Sequence, residues 1–441
     1  LYLISFFKKG KLCLMKRRVV ITGMGTINPL GDDLDTYYKN LMDGKSGIKV
    51  WESLDLTNIE CKIGGDLGDY DWNGKLENFK SYFTDGQFKK IKKLFRTTTF
   101  SARLSILCTM DAYRDAGLLG KDVDPDRTSV IVAGHNLNSN YIFRNGKQFM
   151  EEPEFIDPLC GVEAIDPNVP ALITEVLKLE GPTFTIGGAC ASGNLALREG
   201  MRDIQWGECE RSIITGALFD VSAADIQASV IINAVVAKPE YQSEPEKASR
   251  PFDQARCGFV YSHGTGTLIL EELDSALKRN ARIYGEVLGV SANSNACHLP
   301  QPGAAKQAKV MRELFRVTGL KPEDVDYVNC HATGTKVGDI QEIRAIKETF
   351  GDHAYKIKLN APKSMLGHTC WASPIVETIG GLLQMKYGKL HPTTNIDNLD
   401  PEVDLDICPN RVTEHGINLM LKNSFGFGGI NCCSLIRRYE G

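Results

Sequence analysis

The chain has 441 residues, 42% hydrophobic and 24% charged, a balance proper to a globular protein rather than a disordered or fibrous one. Its 51 Lys and Arg against 55 Asp and Glu leave a net charge of −4, so no basic excess exists to neutralise a phosphate backbone, and nucleic acid is not an expected partner. No uninterrupted apolar run reaches the ~18 to 20 residues of a membrane span, and the 13 cysteines, scattered and without a C-x-x-C pair, read as reduced thiols of a cytoplasmic protein.

Residues 1–14 (LYLISFFKKGKLCL) mix apolar residues with three lysines but have neither the apolar length nor the cleavage site of a signal peptide. They read as a leader or upstream extension, with Met15 as the biological start. The first strand is expected at 19–22, running into Gly23-Met24-Gly25, and Leu34, Tyr37, Tyr38 and Leu41 give residues 33–42 helical spacing. Further strands are expected at 129–133, 212–215, 267–270, 282–290, 327–330 and 357–359. Helices are expected at 99–116, 194–207, 304–318 and 339–350. This alternation predicts α/β layering with mostly parallel strands. After the polar helix end at 274–280 a fresh βαβ pattern starts at Arg282, which divides the chain into similar halves, 15–272 and 273–441. A dinucleotide site fits less well, because Gly23-Met24-Gly25-Thr26-Ile27-Asn28 lacks the third glycine of G-x-G-x-x-G and no P-loop motif occurs.

Four loops carry the residues suited to chemistry. Gly187-Gly188-Ala189-Cys190-Ala191-Ser192-Gly193 places a cysteine on a small-residue turn before a helix, where the helix dipole favours the thiolate and small neighbours leave room for a carbonyl. Cys190 is therefore read as a nucleophile rather than a structural thiol. Asn329-Cys330-His331-Ala332-Thr333-Gly334-Thr335, with Asp339 and Glu342 following, and Lys363-Ser364-Met365-Leu366-Gly367-His368 each put a histidine beside glycine where a strand ends, which is where α/β folds gather ligand sites. The glycines of Asn423-Ser424-Phe425-Gly426-Phe427-Gly428-Gly429-Ile430-Asn431 suit a loop that aims backbone N–H groups at an oxyanion. His263 is read as part of a structural turn, and His298 as possible pocket lining. No H-x-x-x-H or H-E-x-x-H pair is present, and no metal is expected.

Taken together, these loops resemble the β-ketoacyl-acyl-carrier-protein synthase family, the thiolase-fold condensing enzymes of fatty acid and polyketide synthesis, over essentially all of Met15 to Arg438. Arg18-Val19-Val20-Ile21-Thr22-Gly23-Met24-Gly25 and Arg250-Pro251-Phe252-Asp253 add to the match. The resemblance implies a five-layer α-β-α-β-α fold of two similar halves and a dimer, either homodimeric or heterodimeric. It also implies Cys190 as the residue acylated from acyl carrier protein, and His331 and His368 as the pair acting on malonyl-carrier protein. The backbone N–H groups of Cys190 and Phe427 would hold the oxyanion, Phe427 would swing to admit the acyl chain, and Phe425 would pack behind it. Lys363 and Glu342 match ion-paired positions near the histidines, and with Asp339 they take supporting roles. No cofactor is implied beyond the phosphopantetheinyl arm of the carrier protein.

Departures narrow the match. Thr369-Cys370-Trp371-Ala372-Ser373-Pro374 replaces small residues after the second histidine, so Trp371 is expected to line or reshape the pocket. Arg256-Cys257-Gly258-Phe259, Ser262-His263-Gly264-Thr265-Gly266 and Asn295-Ala296-Cys297-His298-Leu299-Pro300-Gln301-Pro302 point to a specialised polyketide-pathway ketosynthase. The retained Cys190 favours condensation. One alternative is a synthase-like decarboxylase making acetyl-carrier protein for polyketide β-branching. A second is a silent subunit of the chain-length-factor kind. Lys89, Lys90, Lys92, Lys93 and Arg96 are candidates for a carrier-protein docking patch.

Overall fold

The aliphatic and β-branched runs become ten strands of one mixed sheet in the computed structural model, which describes residues 17–441 and, ahead of them, only the backbone of Phe7–Lys8 paired with Lys11–Leu12. Apart from that pairing, the expected leader lies outside the described residues. The strands are β1 (Val19–Ile27), β2 (Thr128–Ala133), β3 (Thr183–Ile186), β4 (Arg211–Gly216), β5 (Thr265–Glu272), β6 (Gly285–Ser294), β7 (Tyr327–Asn329), β8 (Lys358–Asn360), β9 (Leu419–Gly426) and β10 (Ile430–Arg437). Their order in the sheet is β8-β7-β9-β10-β6-β1-β5-β4-β2-β3. Each strand of the first five therefore has its counterpart five strands later, and β1 meets β6 at the seam through Ile21 opposite Gly285 and Val20 opposite Glu286.

The expected parallel majority is not what forms. Only β2 with β3 and β4, and β7 with β8 and β9, run parallel. The other pairings, around β1, β5, β6 and β10, are antiparallel. The cause is visible at β9 and β10, which are joined by Phe427-Gly428-Gly429 alone. So short a connection permits only an antiparallel pair. Residues 423–431, read from sequence as a loop, are thus a hairpin whose turn is just those three residues.

Five long helices complete the layers: α1 (Phe100–Asp115), α2 (Ser192–Trp206), α3 (Ala304–Thr318), α4 (Lys336–Phe350) and α5 (Ser373–Tyr387). α1 packs on β1 and β5, and α3 packs on β6 and β10, as outer layers. Gly23 and Gly25 lie inside β1, where an added Cβ would come within 2.4 Å of the Ala112 and Cys108 carbonyl oxygens. Those glycines bring a helix close to a strand and form no phosphate loop. α2 and α5 form the middle layer and touch strands of both halves as well as each other. Every residue of α5 from Ser373 to Met385 is buried, as a helix enclosed on all sides requires. The result is the α-β-α-β-α arrangement, with the N-termini of the two middle helices brought to one place.

Candidate active site

Cys190 lies on a one-turn 3-10 segment, Ala189–Ala191, immediately before α2. The turn is tight enough that Ala189 takes a φ of +48°. Ser192 locks it, its Oγ accepting from the Gly188 N–H at 2.8 Å and donating to the Ala189 carbonyl at 2.7 Å. The hairpin turn after β9 presses on it from the other half, and a Cβ at Gly426 would sit 2.7 Å from the Gly188 oxygen and 3.2 Å from the Cys190 nitrogen. Burial pushes the Cys190 thiol up to about 11, offset in part by Lys363 and by the N–H groups of Phe427 and of Cys190 itself, which are aimed at the sulfur.

His368 enters one turn before α5, its backbone held by N–H donation to the Val260 carbonyl at 2.7 Å and acceptance from the Ser262 N–H at 3.0 Å. Its Nε2 is 3.0 Å from Cys190 Sγ. Its Nδ1 is 2.8 Å from Ser373 Oγ, which in turn is 3.0 Å from Thr369 Oγ1. His331 follows β7 and meets His368 edge to face, ring centroids 5.7 Å apart at 80°. Phe425 braces its other side at 5.8 Å. The nearest donor atoms of Cys190, His331 and His368 all lie within 4.8 Å of one another. A thiol and two imidazoles at that spacing are also the group of described residues that could hold a metal ion. Burial, with help from Lys363 and Lys422, drives both imidazoles well below their ordinary value, so both are neutral at neutral pH.

The charges behind this cluster pair differently from the sequence reading. Lys363 finds its carboxylate in Glu377, at 2.5 Å, and not in Glu342. Lys422 takes the other oxygen of Glu377, also at 2.5 Å, and all three side chains are at most 1% exposed. Lys363 Nζ also donates to the His331 carbonyl at 2.7 Å, tying the buried charge to the loop that carries that histidine. Glu342, whose carboxyl burial pushes upward, accepts instead from the His331 and Ala332 N–H groups at 2.8 and 2.7 Å and from the Asn423 amide at 2.9 Å. Asp339, pushed by burial to about 6, accepts from the Phe252 and Gly334 N–H groups. Both acids hold loop backbone, and both also line the cavity that reaches Cys190.

Glu377, Lys422 and Ser373 were missed in the sequence. A lone Glu in the otherwise apolar SPIVETIGGLLQM and a lone Lys in the strand LMLKNSFG were the available signals, since an isolated buried charge demands a partner. Ser373 carried no such signal, standing only within the 369–374 departure.

A cavity of about 330 Å³ leads to Cys190, walled by His331, His368, Phe425, Phe427, Thr333 and Thr335 among others. Its wall includes Asn295, Pro300, Gln301 and Pro302 but neither His298, which is exposed, nor Trp371. The two expected lining residues are therefore misplaced: the 295–302 loop contributes through its prolines and amides, and Trp371 packs against His135 and Phe219. His263 is fully enclosed, its Nδ1 accepting from the Leu67 N–H at 3.1 Å, a structural role.

Among known proteins, the beta-ketoacyl synthase N-terminal domain family matches residues 16–276 and the beta-ketoacyl synthase C-terminal domain family matches 284–397. The chain is 32% identical to the 3-oxoacyl-[acyl-carrier-protein] synthase 2 of Synechocystis sp., over 97% of this chain and 99% of that one. It is 31% identical to the polyketide biosynthesis malonyl-ACP decarboxylase PksF of Bacillus subtilis, over 96% and 97%. The solved ishigamide ketosynthase/chain length factor superposes with a TM-score of 0.86 at 27% identity, covering 96% of this chain and all of that one.

Proposed function

The chain belongs to the β-ketoacyl synthase family, and we propose that it is a 3-oxoacyl-acyl-carrier-protein synthase joining a malonyl unit to an acyl group held on Cys190. The observation that carries this reading is the contact of Cys190 Sγ with His368 Nε2 at 3.0 Å at the foot of a cavity. In the first step the sulfur attacks the carrier thioester. The new C–S bond gives a tetrahedral intermediate that collapses as the old C–S bond breaks, and the thiol proton passes through His368 to the departing pantetheine sulfur. A thiol held near 11 is protonated at rest, so the step needs that base in contact. N–H groups of Cys190 and Phe427 stabilise the tetrahedral oxyanion.

In the second step malonyl-carrier protein loses CO2, and N–H donors of His331 and His368 stabilise the enolate oxygen while its carbon attacks the Cys190 thioester; the C–C bond forms, the C–S bond breaks, and Cys190 leaves as a thiolate that takes a proton from solvent. Neutral imidazoles suit both tasks. The Ser373 hydroxyl is able to donate to Nδ1 or accept from it, so His368 can offer a lone pair in the first step and a proton in the second. No step calls on a metal or a redox group. Residues 15–272 supply the nucleophile and 273–441 both histidines.

Partners follow from chemistry. The Asp85–Thr97 helix buries Phe88, Ile91 and Phe95 and exposes Lys89, Lys90, Lys93 and Arg96, while Lys92 pairs with Glu77. That basic face is our candidate dock for an acidic carrier protein. The edge strand β3 leaves Phe184 exposed, an open edge that a second subunit would cover. A cytoplasmic setting fits the free thiols, and no helix among the described residues is long and apolar enough to cross a membrane.

A second reading, malonyl-carrier-protein decarboxylation without condensation, is favoured by the full-length similarity to the Bacillus subtilis decarboxylase. A silent subunit fits less well with a nucleophile in contact with its base. Intact-protein mass spectrometry with acyl-carrier proteins, beside CO2 release from malonyl-carrier protein, separates them. A Cys190 adduct coupled to a lengthened product means condensation, and CO2 release without acyl transfer means the second reading.

A further inference from the structure

The carrier arm that loads Cys190 must withdraw so that a second arm, bearing malonate, can use the same cavity. The acyl chain left on the sulfur therefore has to lodge on the other side of the thiol. That side is filled. Gly187, three residues before Cys190, faces His135, whose ring would lie 3.3 Å from a Cβ there. His135 stacks on Trp371 with centroids 4.1 Å apart, and Trp371 lies so near Gly134 that a Cβ there would be 3.0 Å from the indole. From Trp371 an aromatic arc continues through Phe219 at 5.1 Å to Tyr261, then Phe259, which packs on His368 at 5.4 Å. The arc runs from one flank of the thiol to the other, and only Phe259 among its members reaches the cavity wall. The turn bearing Trp371, Cys370–Ala372, packs directly on the turn bearing Cys190.

Resting on the acyl-transfer reading above, we propose that Trp371, backed by His135, closes the space behind Cys190 and restricts the group on its sulfur to a short acyl chain, of acetyl to butyryl size. Trp371 sets specificity and takes no part in bond making. Its indole Nε1 is buried without a hydrogen-bond partner among the described residues. Packing alone would not select an unpaired donor at that position.

The test uses the full chain with acetyl-, butyryl-, hexanoyl- and octanoyl-pantetheine, following the mass of the Cys190 adduct in the native protein, Trp371→Ala, Trp371→Phe and His135→Ala. The native protein should take acetyl and butyryl groups and be slower with octanoyl by about tenfold or more, the scale on which a shaped apolar pocket rejects extra methylenes. Trp371→Ala should raise the octanoyl-to-acetyl rate ratio by a similar factor, His135→Ala by less, and Trp371→Phe least. Equal acetyl and octanoyl rates in the native protein overturn the proposal. So does an unchanged ratio in a Trp371→Ala protein that still accepts acetyl. If that variant does not fold, the native profile and His135→Ala decide. No adduct with any thioester, while iodoacetamide still alkylates Cys190, would instead remove the acyl-transfer reading on which the proposal rests.

Discussion

His368 Nε2 stands 3.0 Å from Cys190 Sγ although 178 residues separate them in the chain, because each sits at the N-terminal end of one of the two buried middle helices. Replacing Cys190 with Ala should abolish acyl adducts on the protein. Decarboxylation of malonyl-carrier protein should persist, since both imidazoles remain. The paired readouts are intact mass and CO2 release.

The neutral histidines make a pH prediction with a definite sign. Both have folded-state values well below 6.5, so the unfolded chain binds their protons first as pH falls. Stability they contribute is present above the unfolded value and is lost progressively as pH drops below about 6.5 toward the folded values. Activity should likewise keep its acid limb below the ordinary imidazole range. Urea midpoints and initial rates across that range check both.

Ser373 Oγ, 2.8 Å from His368 Nδ1, is placed to orient that imidazole. Ser373→Ala should lower kcat by about tenfold or more, the effect of losing a group that orients a catalytic imidazole, with KM for malonyl-carrier protein little changed. Ser373→Thr, which restores the hydroxyl, should recover much of the loss. Equal kcat in Ala and Thr variants would count against the role.

Glu377 balances two buried cations. Glu377→Gln should cost about 3–5 kcal/mol in chemical denaturation, the range for breaking a buried charge network from one side. Lys363 Nζ donates to the His331 carbonyl, so the same change should also slow decarboxylation.

Gly426 allows the hairpin to seat against the nucleophile turn. Gly426→Ala should slow Cys190 acylation sharply and destabilise the fold by about 1–3 kcal/mol, as overpacking does. The hairpin itself would survive, because β9 and β10 pair through the eight residue pairs from Leu419–Arg437 to Gly426–Ile430. Circular dichroism beside the acylation rate separates the two effects.

Much of this architecture was legible in the chain. The helix expected at 304–318 forms with those bounds, and those expected at 99–116 and 194–207 form within two residues of them. These elements were readable because apolar periodicity and local breakers act over a few residues. The four loops were located in the same way, from small residues and histidines at strand ends.

Legible in the sequence alone were side chains suited to chemistry, Cys190, His331 and His368 among them, and many of the strand and helix segments. Only tertiary structure decided their partners. Lys363 and Glu377 are 14 residues apart with no periodic mark of contact, and Lys422 joins them from strand β9. The antiparallel seam, the route of the cavity past Pro300 and Pro302, and the turning of Trp371 onto His135 instead of into that cavity were likewise hidden. The physical reason is that strand pairing and burial of a charge are fixed by contacts between distant segments, whose free energy depends on a neighbour that local sequence does not name.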